Sequence, residues 1–179
     1  YKKYMYNFSF LIMFVRRFRV KEILNRISVR QYTDKEVSSE DILKLLNAAM
    51  SAPSSKNIKP WEFYVVRNKL ILDKLSKAAP NAGPLELANV AIVVCGNENL
   101  EHNDYLDINL SAATENILIE ATSLGLGTVW LGLKPKLERV EKVNKILELP
   151  KNISSFSIIA IGYPKFPVKI KNRFDESKI

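Results

Sequence analysis

The succession of apolar patterns in this sequence predicts a mixed α+β domain. Three observations carry that reading. Residues 90–95 form an almost unbroken apolar run, Val90-Ala91-Ile92-Val93-Val94-Cys95, as expected of a strand covered on both faces. Residues 105–124 hold the longest helical stripe in the chain. The order of elements is helix, helix, strand, helix, strand, long helix, strand, helix, strand and a tail, which is not the simple alternation of a doubly wound fold. No G-x-G-x-x-G opens a helix. The Gly125-Leu126-Gly127 pair follows one, so it does not cradle a dinucleotide by that mechanism, and no Walker-type loop is present.

Each element has a local reason. Residues 20–27 read as a short helix and 33–36 as a polar turn. Ser38 can cap the next helix with Asp41 three residues on, a capping-box variant, after which Ile42, Leu45, Leu46 and Ala49 share one face. A dense polar loop, residues 51–61, separates that helix from a strand at 61–66. Residues 69–78 form a helix with Ile71, Leu72 and Leu75 inward. In the long helix Leu106, Leu110, Ala113, Ile117, Ala121 and Leu124 make the apolar stripe. Ile108, Ala112 and Ile119 add a second apolar side, which predicts burial by the domain and by a partner. Gly125 ends this helix at the C′ position. Residues 128–132 form a short strand, 135–147 a helix with Pro near its start, and 157–161 the last buried strand. The tail, 163–179, lacks a helical stripe. Ahead of all this, Tyr4 to Val15 are apolar and aromatic, with Arg16, Arg17 and Arg19 following. That arm is too short to span a bilayer as a helix and shows no small-residue cleavage site. The expected organisation is an arm over 1–19, packed on the domain or a partner subunit, and a single domain over 20–179.

The 179 residues suit one domain with a sizeable core. Lys plus Arg number 27 against 19 acidic residues, a net charge of +8. This favours anionic ligands. The lysines are scattered through helix patterns, no helix carries a continuous basic face, and no strand interleaves aromatic with basic residues, so a nucleic-acid partner is not expected. Nor is a membrane. The one cysteine, Cys95, reads as a buried thiol and fits a reducing, cytoplasmic setting. The one histidine, His102, sits among acidic residues in a polar stretch without the second His or Cys a metal site would want. No acid–base dyad or Ser-His-Asp arrangement is evident.

Four segments carry chemistry. Arg26-Ile27-Ser28-Val29-Arg30 offers two guanidiniums and a hydroxyl that could grip a phosphate or a carbonyl edge. Ser51-Ala52-Pro53-Ser54-Ser55-Lys56-Asn57-Ile58-Lys59-Pro60-Trp61 is stiffened by two prolines and crowded with hydroxyls and amides. Gly125-Leu126-Gly127-Thr128-Val129-Trp130-Leu131-Gly132 permits close backbone approach to a flat ligand, with Trp130 offering an apolar face. Lys171-Asn172-Arg173 is a short basic pair in the tail.

Together, and in this order, these segments and the late Ile161-Gly162-Tyr163-Pro164 resemble the FMN-dependent nitroreductase family from about residue 21 to the end of the chain. The resemblance implies a nitroreductase-like α+β fold with a central, mostly antiparallel sheet flanked by helices, a long buried central helix, and a tail exchanged within a homodimer. It implies two FMN molecules at the subunit interface, reduced by NAD(P)H in ping-pong order and reoxidised by nitroaromatic, quinone or similar acceptors. By position, Arg26 and Ser28 would hold the phosphate and ribityl chain, Arg30 would lie by the pyrimidine edge, and Lys171 and Arg173 would complete the phosphate clamp. Pro53, Ser54, Ser55 and Asn57 would come from the other subunit and face the ring. Val129, Trp130, Leu131 and Gly132 would line the flavin, the last two with backbone contacts near N5. Ile27 departs from the family, standing where many relatives carry a polar or basic residue. The short stretch 98–107 leaves little length for a lid and favours an open pocket. The alternative within the fold is a flavin-binding or flavin-reducing protein with little nitroreductase turnover.

Overall fold

The computed structural model of the chain describes residues 20–100, 105–169 and 172–179. The apolar arm, His102 and Lys171 lie outside the described residues. Four strands form one sheet: β1 (Trp61–Val66), β2 (Val90–Asn97), β3 (Gly127–Gly132) and β4 (Ile153–Gly162), in the order β1-β2-β4-β3. All three pairings are antiparallel.

β2 and β4 are central, and side-chain alternation divides their residues between two cores. Ala91, Val93 and Cys95 join Ile158 and Ala160 of β4 and Val129 and Leu131 of β3 on one face. That face is covered by α3 (Lys69–Ser76) through Leu72 and Leu75, and by α5 (Leu137–Leu147) through Val140 and Val143. Val90, Ile92 and Val94 join Ile159 and Ile161 on the other face. There α2 (Ser39–Met50) packs through Ile42, Leu45 and Ala49, and α4 (Leu106–Ser123) through Leu106, Leu110, Ala113, Ile117 and Ala121. The unbroken apolar run of β2 therefore reflects a helix–sheet–helix sandwich. Each fully buried Leu or Ile contributes about 1.5–3 kcal/mol from leaving water.

Local signals mostly land as expected. Ser38 caps α2, its hydroxyl accepting from the Asp41 N–H at 3.0 Å. The reciprocal half of a capping box is replaced, since the Asp41 carboxylate faces Lys44 at 3.5 Å. Gly125 adopts φ +71° and closes α4: its N–H donates to Thr122 O at 3.2 Å and the Leu126 N–H to Ala121 O at 2.8 Å. That is the Schellman pattern, which needs a left-handed residue.

Several boundaries differ from the sequence reading by one or more residues, among them three that shape the site or the sheet. The first helix, α1, spans only Lys21–Asn25, and residues 26–30 leave it. α5 begins at Leu137, two residues after Pro135. β4 begins at Ile153, before the expected start at 157, because its serines are satisfied from a distance. The Ser155 N–H donates to Asn144 Oδ1 at 3.0 Å, and the Ser157 and Thr114 hydroxyls lie 3.3 Å apart. The second apolar side of α4 is less covered than the first: Ile108 is 62% exposed, and Ala112 and Ile119 are half-buried.

Candidate functional site

Residues 26–33 lie across the paired ends of β3 and β4. Ser28 bridges Thr128 in parallel, with the Val29 N–H donating to Thr128 O at 2.8 Å. Tyr32 bridges Pro164 on the far side. Between them the segment crosses the Gly127–Gly162 pair. A Cβ at Gly127 would sit 2.7 Å from Val29 Cγ1, and one at Gly162 would sit 2.8 Å from Tyr32 Cβ. Both glycines are thus needed for close approach. The Tyr32 hydroxyl donates to Val29 O at 2.7 Å and lies 3.2 Å from Ala160 O, which ties the arginine segment to β4. Burial pushes the ionisation of Tyr32 far above the usual tyrosine range, against the opposing pull of Arg30.

Extended backbone turns alternate side chains to opposite sides. Ile27 and Val29 line a cleft of about 220 Å³ with Asn25, Thr122, Leu126, Pro164 and Val168, among others. Ile27 therefore occupies an apolar cleft on the opposite side from Arg26, Ser28 and Arg30. Arg26 Nε lies 3.3 Å from Glu115 Oε1 of α4. Arg30 is exposed, its Nη1 donating to Ser28 O at 3.4 Å. Arg173 folds back on the same segment, its guanidinium donating to Leu24 O at 3.2 Å and Arg26 O at 2.9 Å. The structure thus brings three of the four segments together, and three guanidiniums with them.

β3 is the edge of the sheet beyond β4. Because the Thr128 carbonyl faces outward to Val29, alternation places the backbone groups of Trp130 and Gly132 on that same outer edge. Val129 and Leu131 direct theirs to β4 and bury their side chains at 3% and 2% exposure. Trp130 is half-buried, with its ring edge-on to Phe156 at 5.9 Å between centroids. Arg139 of α5 donates weakly to Gly132 O at 3.5 Å.

The polar loop sits elsewhere. The Ser55 N–H donates to Asn109 Oδ1 on α4 at 3.0 Å, and the Lys59 N–H to Ser54 Oγ at 2.9 Å. Asn116 Nδ2 donates to Ala48 O at 3.0 Å just before the loop. A cleft of about 370 Å³ is lined by Pro53, Ser54, Ser55, Tyr105, Ile108, Asn109 and Ala112. Asn57 is exposed. Among the described residues, no hydrogen bond or ion pair joins this loop to the other three segments. Sequence reasoning missed Asn109, Glu115, Tyr32 and Arg139. Asn109 had a visible signal, a polar residue set among Leu106, Leu110 and Ala113 on the inward stripe.

Among the described residues, no group of three or more His, Cys, Asp or Glu side chains could hold a metal ion, and no helix is long and apolar enough to cross a membrane.

The model of the nitroreductase family matches residues 23–89 and 83–163. A protein of Archaeoglobus fulgidus is 46% identical over 149 residues, covering 82% of this chain and 85% of that protein. It carries the provisional name NADH dehydrogenase/NAD(P)H nitroreductase. A crystal structure from Parabacteroides distasonis with the same provisional name has a TM-score of 0.86 at 41% identity, covering 89% of this chain and 95% of that one. An FMN-dependent nitroreductase of Clostridium difficile has a TM-score of 0.82 at 31% identity, covering 89% and 96%.

Proposed function

The chain belongs to the nitroreductase family, and on that premise we propose a flavoprotein oxidoreductase that passes electrons from NAD(P)H through bound FMN to nitroaromatic, quinone or similar acceptors. One observation carries the reading for this chain's own residues. The outer edge of β3 at Trp130 and Gly132 runs beside the segment that gathers Arg26, Arg30 and Arg173. Backbone donors that have no partner among the described residues, set beside guanidiniums, suit a flat, hydrogen-bonding ring that ends in a phosphate. The donor set therefore fits FMN.

When bound, FMN supplies the redox chemistry: it takes a hydride from the nicotinamide and passes electrons to the acceptor. The protein holds and tunes it. Arg26, Ser28, Lys171 and Arg173 hold the phosphate and ribityl end. Arg30 stabilises negative charge at the pyrimidine edge, a preorganised electrostatic role that needs no proton transfer. The outward backbone of Gly132 serves the N5 edge, and Trp130, braced by Phe156, forms part of the wall. Val129 and Leu131 fix the strand from the core. Leu131 sends its own backbone groups to β4, so Trp130 and Gly132 carry the edge contacts. Ile27 keeps its side chain in the apolar cleft and gives the flavin only main chain.

The separation of the loop from the other segments within one chain supports a homodimer, in which Pro53, Ser54, Ser55 and Asn57 of one copy face the flavin of the other. The open second side of α4, with Ile108 exposed, supports the same assembly. A single buried, free cysteine and a nicotinamide donor fit the cytoplasm.

The test is spectroscopic. The purified chain is expected to bind FMN, to lose its visible absorbance on anaerobic addition of NADH or NADPH, and to regain it with a nitroaromatic or quinone. It is expected to sediment as a dimer. Absence of flavin uptake overturns the proposal. Uptake without bleaching leaves a flavin-binding protein of the same fold, and a flavin-loaded monomer removes the shared site.

A further inference from the structure

Asn109 is buried at 4% exposure in the middle of an apolar stripe on α4. Its Oδ1 accepts from the Ser55 N–H at 3.0 Å. Its Nδ2 is also buried, and has no hydrogen-bond partner among the described residues. An aliphatic side chain would fill this place without leaving a donor unsatisfied. What it would lack is the acceptor for Ser55.

That acceptor meets a loop whose backbone is unusual. Lys56, Asn57 and Lys59 have φ of +50°, +56° and +54°, left-handed values that side chains other than glycine rarely adopt. Such geometry persists only where surrounding structure over-determines it. Three ties do so from within: the Asn57 N–H donates to Ser54 O at 2.9 Å, the Ile58 N–H to Ser55 O at 3.1 Å and the Lys59 N–H to Ser54 Oγ at 2.9 Å. All three close the loop on itself and none fixes its tip to the domain. The bond from Ser55 to Asn109 attaches the tip of the loop to the framework.

We propose that Asn109 is a positioning residue that presets the segment from Pro53 to Asn57 for the flavin. The inference rests on the flavin reading above, because that reading gives the segment its ligand. Asn109 acts through Ser55 rather than by touching the ring. A preset loop binds without first being ordered, so losing the tie weakens binding by the cost of that ordering.

The experiment compares the wild-type chain with Asn109→Leu and Asn109→Asp by amide hydrogen exchange and FMN titration. Asn109→Leu removes the acceptor at similar volume. Its Ser55 amide is expected to exchange at least about tenfold faster while amides of β2 and β4 keep their protection, and FMN is expected to bind about tenfold more weakly. Asn109→Asp keeps the acceptor, so Ser55 protection and FMN affinity are expected to stay within about threefold of wild type. Burial at this position favours the neutral carboxyl, so the variant restores the acceptor without adding a charge, and such rescue is what a role in packing alone would not show. Unchanged Ser55 exchange in Asn109→Leu overturns the tie. Faster exchange with unchanged FMN affinity overturns its bearing on the site. If Asn109→Leu fails to fold, loss of Ser55 protection or of FMN affinity in Asn109→Asp overturns the proposal instead. A wild-type chain that takes up no FMN overturns the flavin reading on its own, and exchange at Ser55 still decides whether Asn109 holds the loop.

Discussion

Residues 26–33 and residues 51–61 belong to the same proposed site, yet they are fixed differently. The first segment is held mainly through its main chain, to β3 at Val29 and to the run after β4 at Thr33, and it crosses a pair of glycines that admit it. The second is fixed to the sheet by main chain at its end, where Pro60 O accepts from the Asn97 N–H at 2.7 Å, but its tip is held by side chains, Asn109 and Ser54, and passes through left-handed backbone at Lys56, Asn57 and Lys59. Ladder pairing forms with the sheet and tolerates many side chains. Side-chain ties on a strained backbone depend on single residues. The contrast places sensitivity to volume in the first segment and sensitivity to individual polar groups in the second.

The largest effect is expected where the first segment crosses the sheet. In Gly127→Ala the new Cβ would meet Val29 Cγ1 at 2.7 Å and Pro164 Cγ at 3.0 Å. Neither neighbour is the far end of a flexible side chain, so the crossing segment must lift. Overpacking of this kind costs about 1–3 kcal/mol, and it moves Arg26 and Arg30 together. Urea unfolding is expected to show that loss, and FMN titration a drop in affinity of at least about tenfold. Undiminished affinity would mean that close approach at Gly127 does not position the arginines.

A smaller effect is expected at Tyr32, a side-chain tie in the first segment of the kind that holds the tip of the second. Tyr32→Phe leaves the carbonyls of Val29 and Ala160 without the hydroxyl, at about 1–2 kcal/mol. The change also alters pH dependence. Burial raises the ionisation of the folded-state hydroxyl above that of the unfolded chain. The folded protein therefore holds the proton more tightly. That contribution is whole below the unfolded value near pH 10 and is lost as pH rises beyond it. Tyr32→Phe should flatten the decline of stability above about pH 10. Part of the decline should survive, because burial also pushes the Cys95 thiol up to about 12 from 9.0, giving a loss that starts near pH 9. Unfolding free energies measured from pH 8 to 11 check both slopes, and an equally steep decline in Tyr32→Phe would remove Tyr32 as its source.

The same contrast explains what the sequence made legible. The strand at Val90, the stripe of α4, the cap at Ser38 and the glycine closing α4 all follow from local rules, and the structure has each in place. The arginine segment could be singled out by its two guanidiniums and hydroxyl, and the β3 glycines because close backbone approach restricts residue type. The early part of β4 was hidden, since its serines read as loop until Asn144 and Thr114 satisfy them from other elements. Prolines marked the polar loop as stiff, but nothing local fixes the left-handed turn at Lys56 and Lys59. Asn109 stands out as a polar residue on an apolar stripe, but its task is hidden for the same reason, because its partner Ser55 lies far away in sequence.

The smallest effect separates strain from attachment within the loop. Lys56 is exposed, and its φ of +50° suits glycine better than lysine. Lys56→Gly relieves a left-handed conformation worth about 1–2 kcal/mol and gives back part of it as added freedom of the unfolded chain. The net expectation is a gain of roughly 0.5–1 kcal/mol in unfolding free energy. If Asn109 rather than the strained backbone sets the position of the loop, the glycine variant keeps its Ser55 tie. Its FMN affinity then changes less than that of Asn109→Leu. A loss of affinity in Lys56→Gly equal to that in Asn109→Leu would reverse the assignment: the restricted backbone would preset the loop, and the amide on α4 would follow it.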